Sequence, residues 1–425
     1  MSEAPGSEAS GSEASGSEAL GSEASGAEGL HPCTRAIRAG RADNQNALAP
    51  ILWSTTTFTA DSVAEARDLA VDTHSTRFYT RYGNPTVRAF EDAIAELEGT
   101  ESARAFASGM GALSAIVLGL CSSGDHIVAQ RQLYGGTQLL LQTACPRFGI
   151  DVTFVDGTEP GAFAGAVVPG RTVLVIAETP ANPKLAVVDL AELGAIAGPM
   201  TVVDSTFATP MAQRPADFGV DLVVHSATKA IAGHNDATIG AVAGSEELLG
   251  WLWSYAVLHG AVASPFDALN ALRGIRTLGV RLRQQTATAT ALAQALEGHC
   301  AVEAVHYPGL ASHPQHALAA RQMEGAGGLV TFDLAGGYEA GRALVEEVGV
   351  VRLATSLGGP ESIVTHPAST THVGLLPGEL EASCIGQGTV RFSAGLEHTA
   401  DVVDDVLRAL DRVDPTPARS SLRVR

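Results

Sequence analysis

The chain has 425 residues, 45% hydrophobic and 17% charged, which is too apolar for a disordered protein and long enough for two or three cored domains. A formal net charge of -19 and a pI near 5.0 give a field that repels nucleic acid and anionic membrane, so neither is an expected partner and small-molecule chemistry is. The five cysteines, Cys33, Cys121, Cys145, Cys300 and Cys384, are scattered without the CxxC or Cys/His spacing that would point to a zinc site or disulfide framework, which suits a reducing cytoplasm.

In chain order, residues 2–29 repeat a GSEAS-like pentad that sets Glu3, Glu8, Glu13, Glu18, Glu23 and Glu28 five apart, with no basic or aromatic residue. Such a segment buries no core, and residues 1–30 are expected to form a disordered solvating tail; the basic start and apolar core of a signal peptide are missing. The weakly polar run Ala105–Cys121 contains Ser108, Ser114 and several glycines and falls short of the roughly 20 apolar residues of a membrane helix, so it reads as a buried helix with its preceding turn. "HIVAQ" (126–130), "DVTFVD" (151–156), "TVLVIAE" (172–178), "MTVVDS" (200–205) and "DLVVHS" (221–226) are apolar on both faces. They predict an α/β fold with a mainly parallel sheet covered by helices on both sides, and a ligand beyond the carboxyl ends of its strands. The segment 264–298 predicts a long helix, broken near Gly274. It leads into a region with a strand at 327–334 and an amphipathic helix at 399–413, expected as a smaller α+β domain.

The strand ends gather Glu178, Asn182, Asp204, Ser226, Thr228 and Lys229. A partly desolvated lysine has a lowered pKa and forms a Schiff base with an aldehyde, while neighbouring hydroxyls and N–H groups suit a phosphate. A buried aspartate such as Asp204 needs a cation, and a protonated pyridine nitrogen is one. "ASGMGA" (107–112) offers backbone N–H groups at the mouth of an apolar helix, and "LYGGT" (133–137) an aromatic face for a planar ring. Prolines at 308 and 314 break any helix that would align His306, His313 and His316, and no metal site is expected. Cys121 and Cys145 read as core or turn residues.

"YTRYGNPT" (79–86), "SGM" (108–110), "YGGT" (134–137), "ETPANP" (178–183), "DSTFATP" (204–210), "HSATK" (225–229), "RGIRTL" (273–278), "SLGG" (356–359) and "VRFSAGLE" (390–397) follow one another in a telling order. From about residue 34 to 412 the chain resembles the cystathionine/methionine metabolism (trans-sulfuration) family of pyridoxal-phosphate enzymes. The resemblance implies an aspartate aminotransferase-like, fold-type I architecture: an N-terminal arm at 31–80 contacting a neighbouring subunit, a large cofactor-binding domain at 81–278 with a mainly parallel seven-stranded sheet, and a C-terminal α+β domain at 279–425. It implies that Lys229 forms the internal aldimine with pyridoxal phosphate and shuttles protons, and that Gly109, Met110, Ser226 and Thr228 bind the phosphate. By the same resemblance Tyr79 and Arg81 reach the phosphate in the neighbouring subunit, so the active unit is at least a dimer and is expected as a homotetramer. Tyr134 looks like the ring-stacking residue and acid/base, Asp204 like the partner of the pyridine nitrogen, and Asn182, Ser356 and Arg391 like holders of the cofactor or the substrate α-carboxylate.

The expected reaction is γ-elimination on a γ-substituted L-amino acid, by deprotonation at Cα and Cβ and loss of the γ-substituent. The alternatives are γ-replacement, of the cystathionine γ-synthase or homoserine-ester sulfhydrylase type, and a non-catalytic cofactor-binding scaffold. Several positions depart from the family's common patterns. Thr355 stands where cystathionine enzymes commonly carry glutamate, and Gly136 where methionine γ-lyases have cysteine. Ala256 and Val257 replace a Lys-Asp pair, Ser205 an asparagine and Leu269 an aromatic, while "HPASTTH" (366–372) resembles sulfhydrylases. A pocket with so few charges suits a small or apolar leaving group, possibly one outside core sulfur metabolism.

Overall fold

The computed structural model describes residues 29–370 and 385–413. The GSEAS repeat through residue 28, Thr371, His372, Cys384 and the C-terminal residues 414–425 lie outside the described residues.

Seven strands form the larger sheet: β1 (Ser102–Phe106), β2 (His126–Gln130), β3 (Asp151–Val155), β4 (Thr172–Glu178), β5 (Met200–Asp204), β6 (Leu222–His225) and β7 (Gly240–Gly244), in the order β1-β7-β6-β5-β4-β2-β3. Only β7 runs against its neighbours. Alternate side chains serve opposite layers, as a period of two requires. Leu174 and Ile176 of β4, Val202 of β5, and Leu222 and Val224 of β6 join a core with Leu113 and Ile116 of the helix Gly109–Leu120 and Leu249 and Leu252 of the helix Glu246–His259. Val175 and Val203 instead meet Leu190 and Leu193, and Val223 meets Phe90, Ile94, Leu272 and Ile275. A run apolar at every position is therefore what a sheet between two helical layers demands.

β1 and β7 were not legible in the sequence. "SARAF" carries a charge at its centre and "GAVAG" reads as a loop. The Arg104 guanidinium reaches the Thr73 carbonyl at 3.1 Å, and a Cβ on Gly240 would lie 2.2 Å from the Ser108 carbonyl oxygen, so β7 is small because the backbone before the 109–120 helix crosses it closely.

The helix Pro265–Glu297 starts at the Ser264 cap with proline in its first turn and runs unbroken, which overturns the expected break at Gly274. A Cβ on Gly274 would lie 2.2 Å from the Ala232 carbonyl oxygen and 2.5 Å from that of Ile231. That glycine marks a close approach to the turn after Lys229, and buried Leu272, Ile275 and Leu278 keep the helix straight through it. Gly274→Ala is expected to cost about 1–3 kcal/mol by overpacking. A melting temperature equal to that of the unmutated protein would show that helix and turn separate without penalty.

The second sheet comprises β8 (Val302–His306), β9 (Leu329–Leu334), β10 (Arg352–Leu353), β11 (Ile363–Thr365) and β12 (Thr389–Ser393), in the order β10-β11-β12-β9-β8 and antiparallel except for β10 with β11. Val390 and Phe392 of β12 enter a core with Leu292, Leu296 and the apolar stripe Val402, Val406 and Leu410 of the helix Thr399–Leu410. Arg391, between them, faces the other way, toward the strand ends of the larger sheet.

Candidate active site

In the larger sheet Glu178 lies opposite Asp204, and Asp204 opposite Val224, so β4, β5 and β6 finish level. The chain leaves β6 at His225 and turns at once, with Lys229 N donating to Ser226 O at 3.0 Å and Gly233 N to Lys229 O at 2.8 Å. Arg281, two turns along the same face of the long helix from Gly274, fastens this turn: Nη1 donates to Ala230 O at 2.7 Å, and Nη2 to Ile231 O at 3.2 Å and Gly274 O at 2.7 Å. Burial pushes its guanidinium down to about 10.

From Lys229 a hydrogen-bonded chain runs across the gap between the sheets. Lys229 Nζ donates to Ser356 Oγ at 3.0 Å, and burial, with Arg391 nearby, lowers the lysine pKa. Ser356 sits at φ 81°, a left-handed conformation that costs a non-glycine residue about 1–3 kcal/mol. Its carbonyl accepts from Arg391 Nη2 at 3.0 Å, while Arg391 Nη1 donates to Asn182 Oδ1 at 3.0 Å. Burial holds the Arg391 guanidinium at about 10 against the pull of Glu178. Asn182 N donates to Glu178 Oε1, and Tyr134 N to Glu178 Oε2, each at 2.7 Å.

Asp204 accepts on Oδ1 from Thr206 N at 3.0 Å and Thr206 Oγ1 at 2.5 Å. Burial raises its pKa, and His225, which lowers it, is itself paired with Glu98 at 2.5 Å. Among the described residues Asp204 has no ion-pair partner. Beside it, Ser108 Oγ accepts from Gly111 N at 3.0 Å, leaving the N–H groups of Gly109 and Met110 at the helix mouth for an anion. Ser226 adjoins them, since a Cβ on Gly109 would lie 2.8 Å from Ser226 Cβ. Thr228 Oγ1 is bound to Ile239, donating to its carbonyl at 3.1 Å and accepting from its N–H at 2.9 Å, so it has an acceptor lone pair but no proton to offer. The Tyr134 ring is 49% exposed, and a Cβ on Gly136 would lie 2.5 Å from it and 3.1 Å from Met110 Sδ.

The fold thus brings together Gly109, Met110, Tyr134, Asn182, Asp204, Ser226, Lys229, Ser356 and Arg391, with Thr228 on the same turn and exposed Thr355 next to Ser356. Tyr79 and Arg81 make none of these bonds. Arg81 Nη1 donates to Val257 O at 3.0 Å, on the helix 246–259, and its guanidinium lies 5.7 Å from the Tyr79 ring centroid. Sequence reasoning gave Glu178 no task and missed Arg281. The seven-residue spacing of Gly274 and Arg281, which puts both on one helix face, was the available signal.

These residues fit pyridoxal phosphate: a desolvated lysine for its aldehyde, a half-buried carboxylate without a cation among the described residues for its ring nitrogen, an open aromatic face, and free N–H groups at a helix mouth for its phosphate. The comparisons agree. Residues 33–411 match the family described as Cys/Met metabolism PLP-dependent enzyme. The chain is 40% identical to an L-methionine gamma-lyase of Treponema denticola over 91% of this chain and 98% of that one. It is 39% identical to an O-succinylhomoserine sulfhydrylase of Pseudomonas aeruginosa over 90% and 96%. A cystathionine gamma synthase structure from Xanthomonas oryzae pv. oryzae, in complex with aminoacrylate and cysteine, superposes with a TM-score of 0.84 at 38% identity, covering 90% of this chain and 98% of that one. The chain belongs to the Cys/Met metabolism family of PLP-dependent enzymes. It has the fold-type I α/β architecture and is a pyridoxal-phosphate enzyme of the γ-elimination or γ-replacement class.

Proposed function

We propose that the chain is a lyase that eliminates the γ-substituent of an L-amino acid. The observation that carries this reading is the bonded chain from Lys229 through Ser356 and Arg391 to Asn182, which joins a desolvated amine to a buried guanidinium fork across the two sheets. Lys229 would hold the cofactor aldehyde, Asp204 its ring nitrogen, Tyr134 its face, and Gly109, Met110 and Ser226 its phosphate, joined by Thr228 once its hydroxyl turns from the Ile239 carbonyl to donate to the anion. Bound there, pyridoxal phosphate supplies an electron sink for charge developing next to the amino group. Arg391 and Asn182, with Ser356, orient the substrate carboxylate. Lys229 Nζ, with a pKa lowered by burial and by nearby Arg391, would take the Cα proton and move protons at Cβ and the leaving group, with Tyr134 as a second acid/base. A scaffold that only bound the cofactor would have no use for Arg391 and Asn182 as a carboxylate fork.

The division into an arm at 31–80, a large domain at 81–278 and a C-terminal domain at 279–425 belongs to the same reading, as does a cytoplasmic homo-oligomer, at least a dimer and in full a tetramer. Tyr79 and Arg81, set apart from the chain's own Lys229 cluster, support shared sites, and exposed Val63, Val71, Trp251 and Leu258 support a covered face. Among the described residues no helix is long and apolar enough to cross a membrane. Relatives named gamma-lyases favour elimination; the sulfhydrylase relative and the sulfhydrylase-like stretch "HPASTTH" favour replacement as the second reading.

Mass-spectrometric product analysis of the cofactor-loaded enzyme given O-acetylhomoserine with and without cysteine, alongside methionine and cystathionine, separates the two. The expected result is 2-oxobutyrate and ammonia whether or not thiol is present. A thioether that forms only with cysteine assigns the chain to replacement instead.

A further inference from the structure

Glu178 is a buried carboxylate, 4% exposed, at the centre of the site, and the proposed chemistry gives it no task. It closes β4 opposite Asp204, and its own N–H donates at 2.9 Å to Gln130 Oε1 at the end of β2. Its two oxygens go to two different walls: Oε2 to the N–H of Tyr134, which follows β2, and Oε1 to the N–H of Asn182, which follows β4. Burial and then the charge of Asp204 push its pKa up to about 8. A carboxylate kept in so unfavourable a place, satisfying two N–H groups that neutral acceptors would also satisfy, points to a task that depends on its two-pronged geometry.

We propose that Glu178 is the positioning residue that fixes the distance between the ring face of Tyr134 and the carboxylate fork of Asn182 and Arg391, so that one side chain sets both cofactor plane and substrate subsite. This rests on the site reading given above. Any shift at Asn182 passes to Arg391 through their 3.0 Å bond, and from Arg391 to Ser356 and Lys229. Glu178→Gln sets an amide NH2 against one of the two backbone donors, and Glu178→Asp is too short to reach both.

The test compares the cofactor-loaded protein with both variants. Glycine, an amino acid without a γ-substituent, reports subsite affinity through the visible absorbance of the cofactor, and O-acetylhomoserine gives KM and kcat. Both variants are expected to retain cofactor and to weaken glycine binding and raise KM by about tenfold or more, with kcat falling less, because displacement of a positioned group by about 1 Å costs up to about 100-fold. Glycine affinity and KM equal to those of the unmutated enzyme overturn the proposal while the site reading stands. If neither variant folds or keeps cofactor, Glu178 is a requirement of the fold and the positioning role falls. If the unmutated enzyme itself responds to neither compound, the site reading fails and takes this proposal with it.

Discussion

Lys229→Ala is expected to lower turnover by about 10⁴-fold or more, because under the proposed function the substitution removes both the amine that would hold the cofactor aldehyde and the base that would move the substrate protons; acid–base catalysis alone is worth about 10²–10⁴. The sequence leaves no substitute. It contains only two lysines, and the other, Lys184, is tied to Asp333 Oδ2 at 2.9 Å beside His306. A second readout does not depend on activity. Borohydride reduction of the loaded protein should fix cofactor mass on the peptide containing Lys229 and none on that containing Lys184, and the alanine variant should carry no label. Since, among the described residues, the only side-chain bond made by the Lys229 amine is to Ser356 Oγ, and the turn itself is held by Arg281, the variant should fold normally. Label on Lys184, or a variant that turns over within tenfold of the parent, would remove Lys229 from the reaction.

How much of this was legible in the sequence follows from the physics of each element. The central strands were readable because burial on both faces forces unbroken apolar runs, as in "TVLVIAE" and "DLVVHS", and their ends put Glu178 opposite Asp204, with the Lys229 turn leaving the next strand. β1 and β7 were not, because each owes its composition to a tertiary neighbour: Arg104 to a distant carbonyl, Gly240 to a crossing backbone. Gly274 misled for the same reason, since a glycine that breaks an isolated helix here makes room for the turn after Lys229. Arg391, on the face of β12 turned from the core, was found only through resemblance. No local pattern reveals that a residue more than two hundred positions from Asn182 will bond to it at 3.0 Å.

That long-range bond sets the second large effect. Arg391→Lys is expected to raise KM for the amino-acid substrate by about 100-fold while kcat changes by less than tenfold and cofactor content stays unchanged. One guanidinium nitrogen is committed to Asn182 Oδ1 and the other to Ser356 O, which locks the plane of the fork while leaving further N–H donors for a carboxylate. An ammonium cannot hold both protein acceptors and present two parallel donors to a substrate, so the loss should approach the roughly 1.5–3 kcal/mol of a hydrogen bond to a charged group. Burial adds to it. The site already pushes the guanidinium down to about 10, and a lysine, whose ordinary pKa is lower, would surrender more of its charge there. A substrate analogue lacking the α-carboxylate separates this account from general damage: the parent enzyme should discriminate strongly against it, and the lysine variant should treat analogue and substrate nearly alike. Equal discrimination by both proteins would mean that the carboxylate is held elsewhere and that Arg391 serves only to brace Ser356 against Lys229.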